Sequence, residues 1–284
     1  MTAPRRVDAH QHFWRLARGD YGWLTPELGV LYRDHEPAEL LPLLAERDIA
    51  QSVLVQAAPT DAETDFLLEL AGQHDFLAAV VGWVDMATPD APNRLRELAQ
   101  HPRFRGVRPM IQDIADDAWM LRTELTPAFE ALIALGLRFD ALVQPRHLAN
   151  LLRLLERHPS LPVVIDHGAK PEIASGGFDP WYERMRALAA QPHVCCKLSG
   201  LVTEAAADWR TDDLAPYVDA LFELFGAERL MWGSDWPVVN LAGGYAAWWN
   251  ATETLVAGLD ESDRAAVLGG TAVAFYGLEE RDDD

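Results

Sequence analysis

The 284-residue chain carries 24 Lys and Arg against 44 Asp and Glu, a formal net charge of -20 at pH 7. That balance excludes nucleic acid and anionic membranes as expected partners, because both are bound through basic residues that displace counterions. Hydrophobic residues make up 49% of the sequence, with no linker and no run of membrane-spanning length, so a single barrel-sized domain over 1–278 and a short polar tail at 279–284 account for the whole length.

Taken in chain order, short β-branched runs alternate with longer amphipathic ones, the pattern of strand and helix units around a parallel sheet. The first strand is expected near 6–13, after an N-terminus without the apolar stretch of a signal peptide, which suggests a cytoplasmic protein. Further strands are expected near 51–57, 77–84, 106–109, 138–143, 162–167, 194–200 and 230–235. Helices should follow near 37–47, 62–74, 91–101, 126–135, 145–158, 180–190, 214–225 and 245–257. The stretch 261–276 reads as extra helix capping the structure, and the tail 279–284 as disordered. Eight such pairs, with no glycine-rich phosphate turn after the first strand, favour an α/β fold of the (β/α)8 TIM-barrel type over an open doubly wound sheet. The only cysteines, Cys195 and Cys196, are adjacent and point to opposite faces of a strand, so they read as buried thiols and not as a disulfide.

In such a barrel the C-terminal ends of the strands build the site. Those ends are polar in this chain, among them His10, His12, Arg108, His167, Lys197 and Asp235. His10 and His12 stand two apart on one face, where neutral imidazoles converge on a divalent ion, although a bare His-x-His also arises by chance. Asp235 arrives from the far end of the chain to lie beside them once the barrel closes. Pro237 and the residues after it delay any helix, so capping explains Asp235 less well than metal ligation or proton transfer. His167 is expected to share an inward face with Val163 and Ile165 and to act as ligand, base or oxyanion donor, the alternative being a satisfied core histidine.

Lys197 and Arg108 place two cations at the rim of an acidic protein, suited to an oxyanion or an anionic group. Structural ion pairs with Asp140 or Asp166 explain them nearly as well. Lysine is scarce, occurring only as Lys170 and Lys197. Aromatic residues gather in the rim loops, notably Trp14, Tyr21 and Trp23 after the first strand and Trp236 after the eighth. They suit a sugar-like ring, with Trp23 and Trp236 as substrate contacts, or they pack the loops down.

The segments Val7-Asp8-Ala9-His10-Gln11-His12-Phe13-Trp14, Tyr21-Gly22-Trp23-Leu24, Gly106-Val107-Arg108, Asp166-His167-Gly168-Ala169-Lys170-Pro171, Lys197-Leu198-Ser199-Gly200 and Gly233-Ser234-Asp235-Trp236-Pro237 resemble the sugar-lactonase branch of the amidohydrolase superfamily. The resemblance spans almost the whole chain in the same order. It implies a distorted TIM barrel and hydrolysis of lactones such as L-fuconolactone or L-rhamnonolactone, with sulfomuconolactone and pyrone-dicarboxylate lactones in sister groups. By position it implies His10, His12, His167 and Asp235 as metal ligands and Arg108 and Lys197 as substrate or oxyanion contacts. Dinuclear relatives use a fourth-strand lysine or glutamate and histidines on the fifth and sixth strands. This chain offers Arg108 on the fourth and Asp140 or Gln144 on the fifth, so one zinc-like divalent ion, weakly held or dispensable, is expected.

The expected reaction is attack of water on the carbonyl of a five- or six-membered aldonolactone, with Asp235 moving the proton and His167 assisting. A carboxylated lactone is the alternative among hydrolases, a decarboxylase of the same superfamily is another, and a non-catalytic sugar-binding barrel is the alternative outside enzymes. Homo-oligomerisation is left open.

Overall fold

A computed structural model describes residues 5–278; the tail expected to be disordered at 279–284 lies outside the described residues. Eight strands run β1 (Arg6–Gln11), β2 (Ile49–Val55), β3 (Leu77–Gly82), β4 (Phe104–Val107), β5 (Arg138–Ala141), β6 (Val163–Ile165), β7 (Val194–Leu198) and β8 (Leu230–Trp232). A helix follows each: α1 (Pro37–Ala45), α2 (Asp61–Gln73), α3 (Ala91–Leu98), α4 (Thr126–Leu135), α5 (Leu148–Arg157), α6 (Asp179–Ala189), α7 (Thr211–Phe225) and α8 (Gly244–Leu255). The strands form one sheet in sequence order, with every neighbouring pair parallel. This is the expected (β/α)8 barrel.

Side-chain alternation sorts the sheet into two faces. Val7, Ala9, Val53, Val55, Val164 and Met231 form an inner cluster, while Val163, Ile165, Val194, Cys196 and Leu198 join the outer layer that the helices cover. The helices supply matching stripes. In α5, Leu148, Leu151, Leu154 and Leu155 are buried at the spacing of one helical face, each worth about 1.5–3 kcal/mol relative to exposure.

All eight strands end two or three residues before their expected ends, and the barrel closes through the segments that follow β1 and β8. Beyond β8 the Asp235 N–H donates to the His10 carbonyl at 2.8 Å and the His12 N–H to the Trp236 carbonyl at 2.7 Å. Gly233 permits this approach: a Cβ there would lie 2.7 Å from the Cβ of His10. The extra helix expected at 261–276 is present in two pieces, α9 (Glu261–Ala265) and α10 (Thr271–Tyr276), joined by one wide turn, Ala266–Gly270. Ala272 and Tyr276 of α10 enter the inner cluster, and the Tyr276 hydroxyl donates to Asp140 Oδ2 at 2.7 Å.

Replacing Gly233 by alanine overpacks the seam between the first and last strands. Gly233→Ala is therefore expected to lower stability by about 1–3 kcal/mol, read as a lower midpoint in thermal denaturation, whereas an alanine at exposed Gly258, where a Cβ meets open space, should leave the midpoint nearly unchanged.

Candidate active site

His10 lies within β1, where the pairing register shifts between Asp8 and Gln11, and His12 follows the strand and lines the cleft at the barrel mouth. Their Nε2 atoms lie 3.2 Å apart, and Asp235 Oδ1, brought in by the seam, is 3.4 Å from His12 Nε2 and 3.8 Å from His10 Nε2. The three residues are buried and their ligand atoms converge. Around a tetrahedral ion with ligand bonds of about 2.0–2.2 Å, ligand atoms stand about 3.4 Å apart, so this triad fits such an ion. His12 is oriented by a hydrogen bond between its Nδ1 and the Val55 carbonyl at 2.7 Å, which leaves Nε2 as the lone-pair atom.

The protonation states agree with that fit. Burial, reinforced by the Lys197 charge, pushes His10 far below the usual histidine range, and burial likewise lowers His12. Burial lowers His167 to about 4 against the pull of Asp235 and Asp166. Burial alone would raise Asp235, but the imidazoles of His167, His12 and His10 outweigh it and hold the carboxyl well below the usual range. At neutral pH the site is three neutral imidazoles around one carboxylate, the charge state that metal ligation requires.

His167 reaches this group by a route other than the one expected. Val163 and Ile165 face the outer layer, so simple alternation would turn His167 outward as well. Instead β6 ends at Ile165 and His167 adopts φ of +55°, which reverses its direction. Its Nδ1 lies 2.8 Å from Ser199 Oγ and its Nε2 4.0 Å from Asp235 Oδ1. Gly200 makes room for the ring, since a Cβ there would stand 2.5 Å from His167 Nδ1.

Lys197 lies deeper than a substrate contact. It is fully buried, with Nζ 2.6 Å from Asp140 Oδ2, 3.1 Å from Asp166 Oδ1 and 3.0 Å from His10 Nδ1. The structural ion pair is thus the arrangement observed, and Lys197 supports His10 from beneath. Asp166 is held well below its usual range, since Lys197 and His10 outweigh the effect of burial, whereas burial lifts Asp140 to about 6. A second group of potential ligands, His10, Asp166 and His167, already contains this ammonium, which disfavours a second divalent cation. Arg108 is buried beside Asp166, at 3.7 Å, and exchanges hydrogen bonds with Gln56, donating to its carbonyl and accepting from its side chain at the Arg108 carbonyl.

Above the triad lies a cleft of roughly 260 Å³ whose polar lining includes His12, Arg108, His167, Lys170 and Asp235. Trp23, Leu28, Val238 and Leu241 supply apolar wall. The volume is below that of sites for drug-sized ligands, about 300–1,000 Å³, and suits a single ring. Trp23 therefore stands where expected. Trp236 does not: it is buried edge-on between Phe13 and His35, with ring centroids at 5.8 and 5.2 Å, and packs the loop instead. Lys170, which the sequence reading left without a role, does line the cleft.

Trp23 belongs to the loop at 14–35, which has its own apolar cluster of Trp14, Tyr21, Leu24 and Leu31 against Ala57 and Ala58. Its indole donates to the Ala57 carbonyl at 2.7 Å. Buried Glu63, at the start of α2, clamps both sides of that contact, accepting from the Tyr21 hydroxyl at 2.7 Å and from the Ala57 N–H at 3.0 Å.

The amidohydrolase family profile matches residues 7–278. The chain is 49% identical over 278 residues to an L-fucono-1,5-lactonase of Burkholderia ambifaria, with 96% of each chain covered. It is 40% identical to an L-fucono-1,5-lactonase of Burkholderia multivorans, with 97% of each covered. Among solved structures, an amidohydrolase from Burkholderia multivorans with bound zinc superimposes with a TM-score of 0.92 at 39% identity, covering 97% of this chain and 100% of that one. In this chain His10, His12 and Asp235 form a group whose ligand atoms have the spacing of a divalent-ion site.

Burial raises Glu63 from 4.5 to about 7 despite its hydrogen bonds. The folded state therefore holds this proton more tightly than the unfolded chain, and the stability it contributes is complete below about pH 4.5 and lost as pH rises through about 7. Glu63→Gln lacks that titration, so the difference in melting temperature between the variant and the parent should shift in favour of the variant from pH 4.5 to pH 7.5; a pH-independent difference would contradict it.

Proposed function

The chain belongs to the amidohydrolase family, and from that premise we propose that it is a lactone hydrolase that opens a sugar lactone of the L-fucono-1,5-lactone type to its aldonic acid. The observation that carries this reading is the meeting of ionised Asp235 and neutral His167 in a single-ring cleft, within a chain almost half identical to an L-fucono-1,5-lactonase along nearly its whole length. L-Rhamnono-gamma-lactonase is a more distant relative, 24% identical over 213 residues.

The 4.0 Å between Asp235 Oδ1 and His167 Nε2 is a span that one water oxygen bridges with hydrogen bonds of ordinary length to both. The water attacks the ester carbonyl as Asp235 takes its proton, and the tetrahedral oxyanion gains from the nearby Arg108 cation. Collapse breaks the bond between the carbonyl carbon and the ring oxygen. Asp235, having taken the proton of the attacking water, returns it to the departing ring oxygen. Trp23 and the apolar wall hold the ring and limit water around the reacting ester. His10, His12 and Asp235 would hold a zinc-class ion, whose Lewis acidity polarises a carbonyl and acidifies water when it is bound.

Aldonolactones offered in a pH-indicator assay should release acid, and Asp235→Asn should lower kcat by about 10²–10⁴-fold with an unchanged circular dichroism spectrum. Near-normal turnover by that variant would refute the assignment of Asp235, and turnover of carboxylated lactones in place of aldonolactones would refute the substrate class. Elemental analysis after zinc loading should find about one equivalent per chain, with a large loss in His12→Ala.

A further inference from the structure

Four consecutive residues after β6 occupy the left-handed region: His167, Gly168, Ala169 and Lys170 have φ of 55°, 57°, 61° and 52°. Only one of them is glycine, and L residues with a Cβ adopt this conformation at a steric cost. The surroundings hold the turn in place. The Lys170 N–H donates to the His167 carbonyl at 2.9 Å, and the buried Trp181 indole donates to the Gly168 carbonyl at 2.6 Å. Strain of this kind persists where the neighbouring structure overdetermines it, most often at working sites.

The turn delivers both of its ends to one cleft, for His167 and Lys170 each line it. The Lys170 ammonium is steadied by Glu204, with Nζ 3.1 Å from Oε1, and the Lys170 side chain keeps 22% of its surface exposed. Lys197, by contrast, is locked between two carboxylates and fully buried. An ammonium has three N–H donors, so the Glu204 contact leaves Lys170 with donors to offer into the cleft. A sugar lactone differs from a plain lactone in its ring hydroxyls, and a partly buried charged donor at the wall discriminates for them.

We propose that Lys170 is a substrate-binding residue that donates to a ring hydroxyl of the lactone, and that the left-handed turn fixes its distance from His167. Lys170 thereby selects hydroxylated lactones over unsubstituted ones. The assignment rests on the lactonase reading above.

The test compares L-fucono-1,5-lactone with δ-valerolactone, the same ring size without hydroxyls, for the parent protein, Lys170→Met and Glu204→Gln. In Lys170→Met the KM for the sugar lactone should rise about 10–100-fold with kcat little changed and with δ-valerolactone turnover unaffected. Lys170→Arg, which keeps charge and donors, should recover much of the loss. Glu204→Gln, an exchange at a half-exposed position, should raise the same KM more modestly. An unchanged KM, a loss carried by kcat, or an equal loss on both lactones would each overturn the role of Lys170. A parent protein that opens neither lactone would instead overturn the lactonase reading, and the Lys170 assignment with it.

Discussion

The arrangement at the barrel mouth depends on one buried ammonium. Lys197 has no solvent contact, and an ion taken out of water without compensation costs several kcal/mol. Asp140 and Asp166 supply that compensation from the two preceding strands. The consequences reach the chemistry directly. Asp166 stays ionised, and the Lys197 charge adds to burial in keeping His10 neutral. The interior of such a barrel is normally a stack of apolar layers. In this one, the valines of β1, β2 and β6 keep that role low in the barrel while a charged layer replaces it beneath the cleft.

Around that charged layer, small residues act as spacers. Gly233 lets the chain after β8 lie against His10, and Gly200 lets the chain after β7 lie against the His167 ring. Each converts a close backbone approach into a fixed imidazole position, and positions fixed in this way give effective catalysis without further ordering during the reaction. The 14–35 loop does for the cleft wall what the seam does for its floor. Glu63 holds Tyr21 and Ala57 together, and Ala57 in turn orients Trp23.

The parts of this arrangement readable from sequence were those governed by periodicity. Alternating β-branched and amphipathic runs mark the eight strand and helix pairs, and the rule that strand ends build the site places His10, His12 and Asp235 together. Alternation also put Lys197 inward, but it carries no information about depth, and the two carboxylates that decide its role lie on other strands. His167 shows the opposite limit. The residue is identifiable although the alternation used to orient it fails, because β6 ends at Ile165 and His167 itself takes a positive φ. Lys170 stayed without a role for the same reason, as only Gly168 hints at a left-handed turn whose other members carry a Cβ. Trp236 looked like a sugar platform from its loop position, and packing against Phe13 and His35 is a property of the folded chain alone.

Closure of the barrel by its last strand also sets an order of assembly. During synthesis His10 emerges more than two hundred residues before Asp235 and before the Tyr276 hydroxyl that steadies Asp140. Contacts of such large sequence separation form late, after loop closure has been accomplished across most of the chain. A partly synthesised or C-terminally clipped chain therefore carries the two first-strand histidines without the carboxylate that completes their triad. The triad becomes whole only when the N- and C-terminal parts of the chain meet, which makes its completion a built-in report that the barrel has closed.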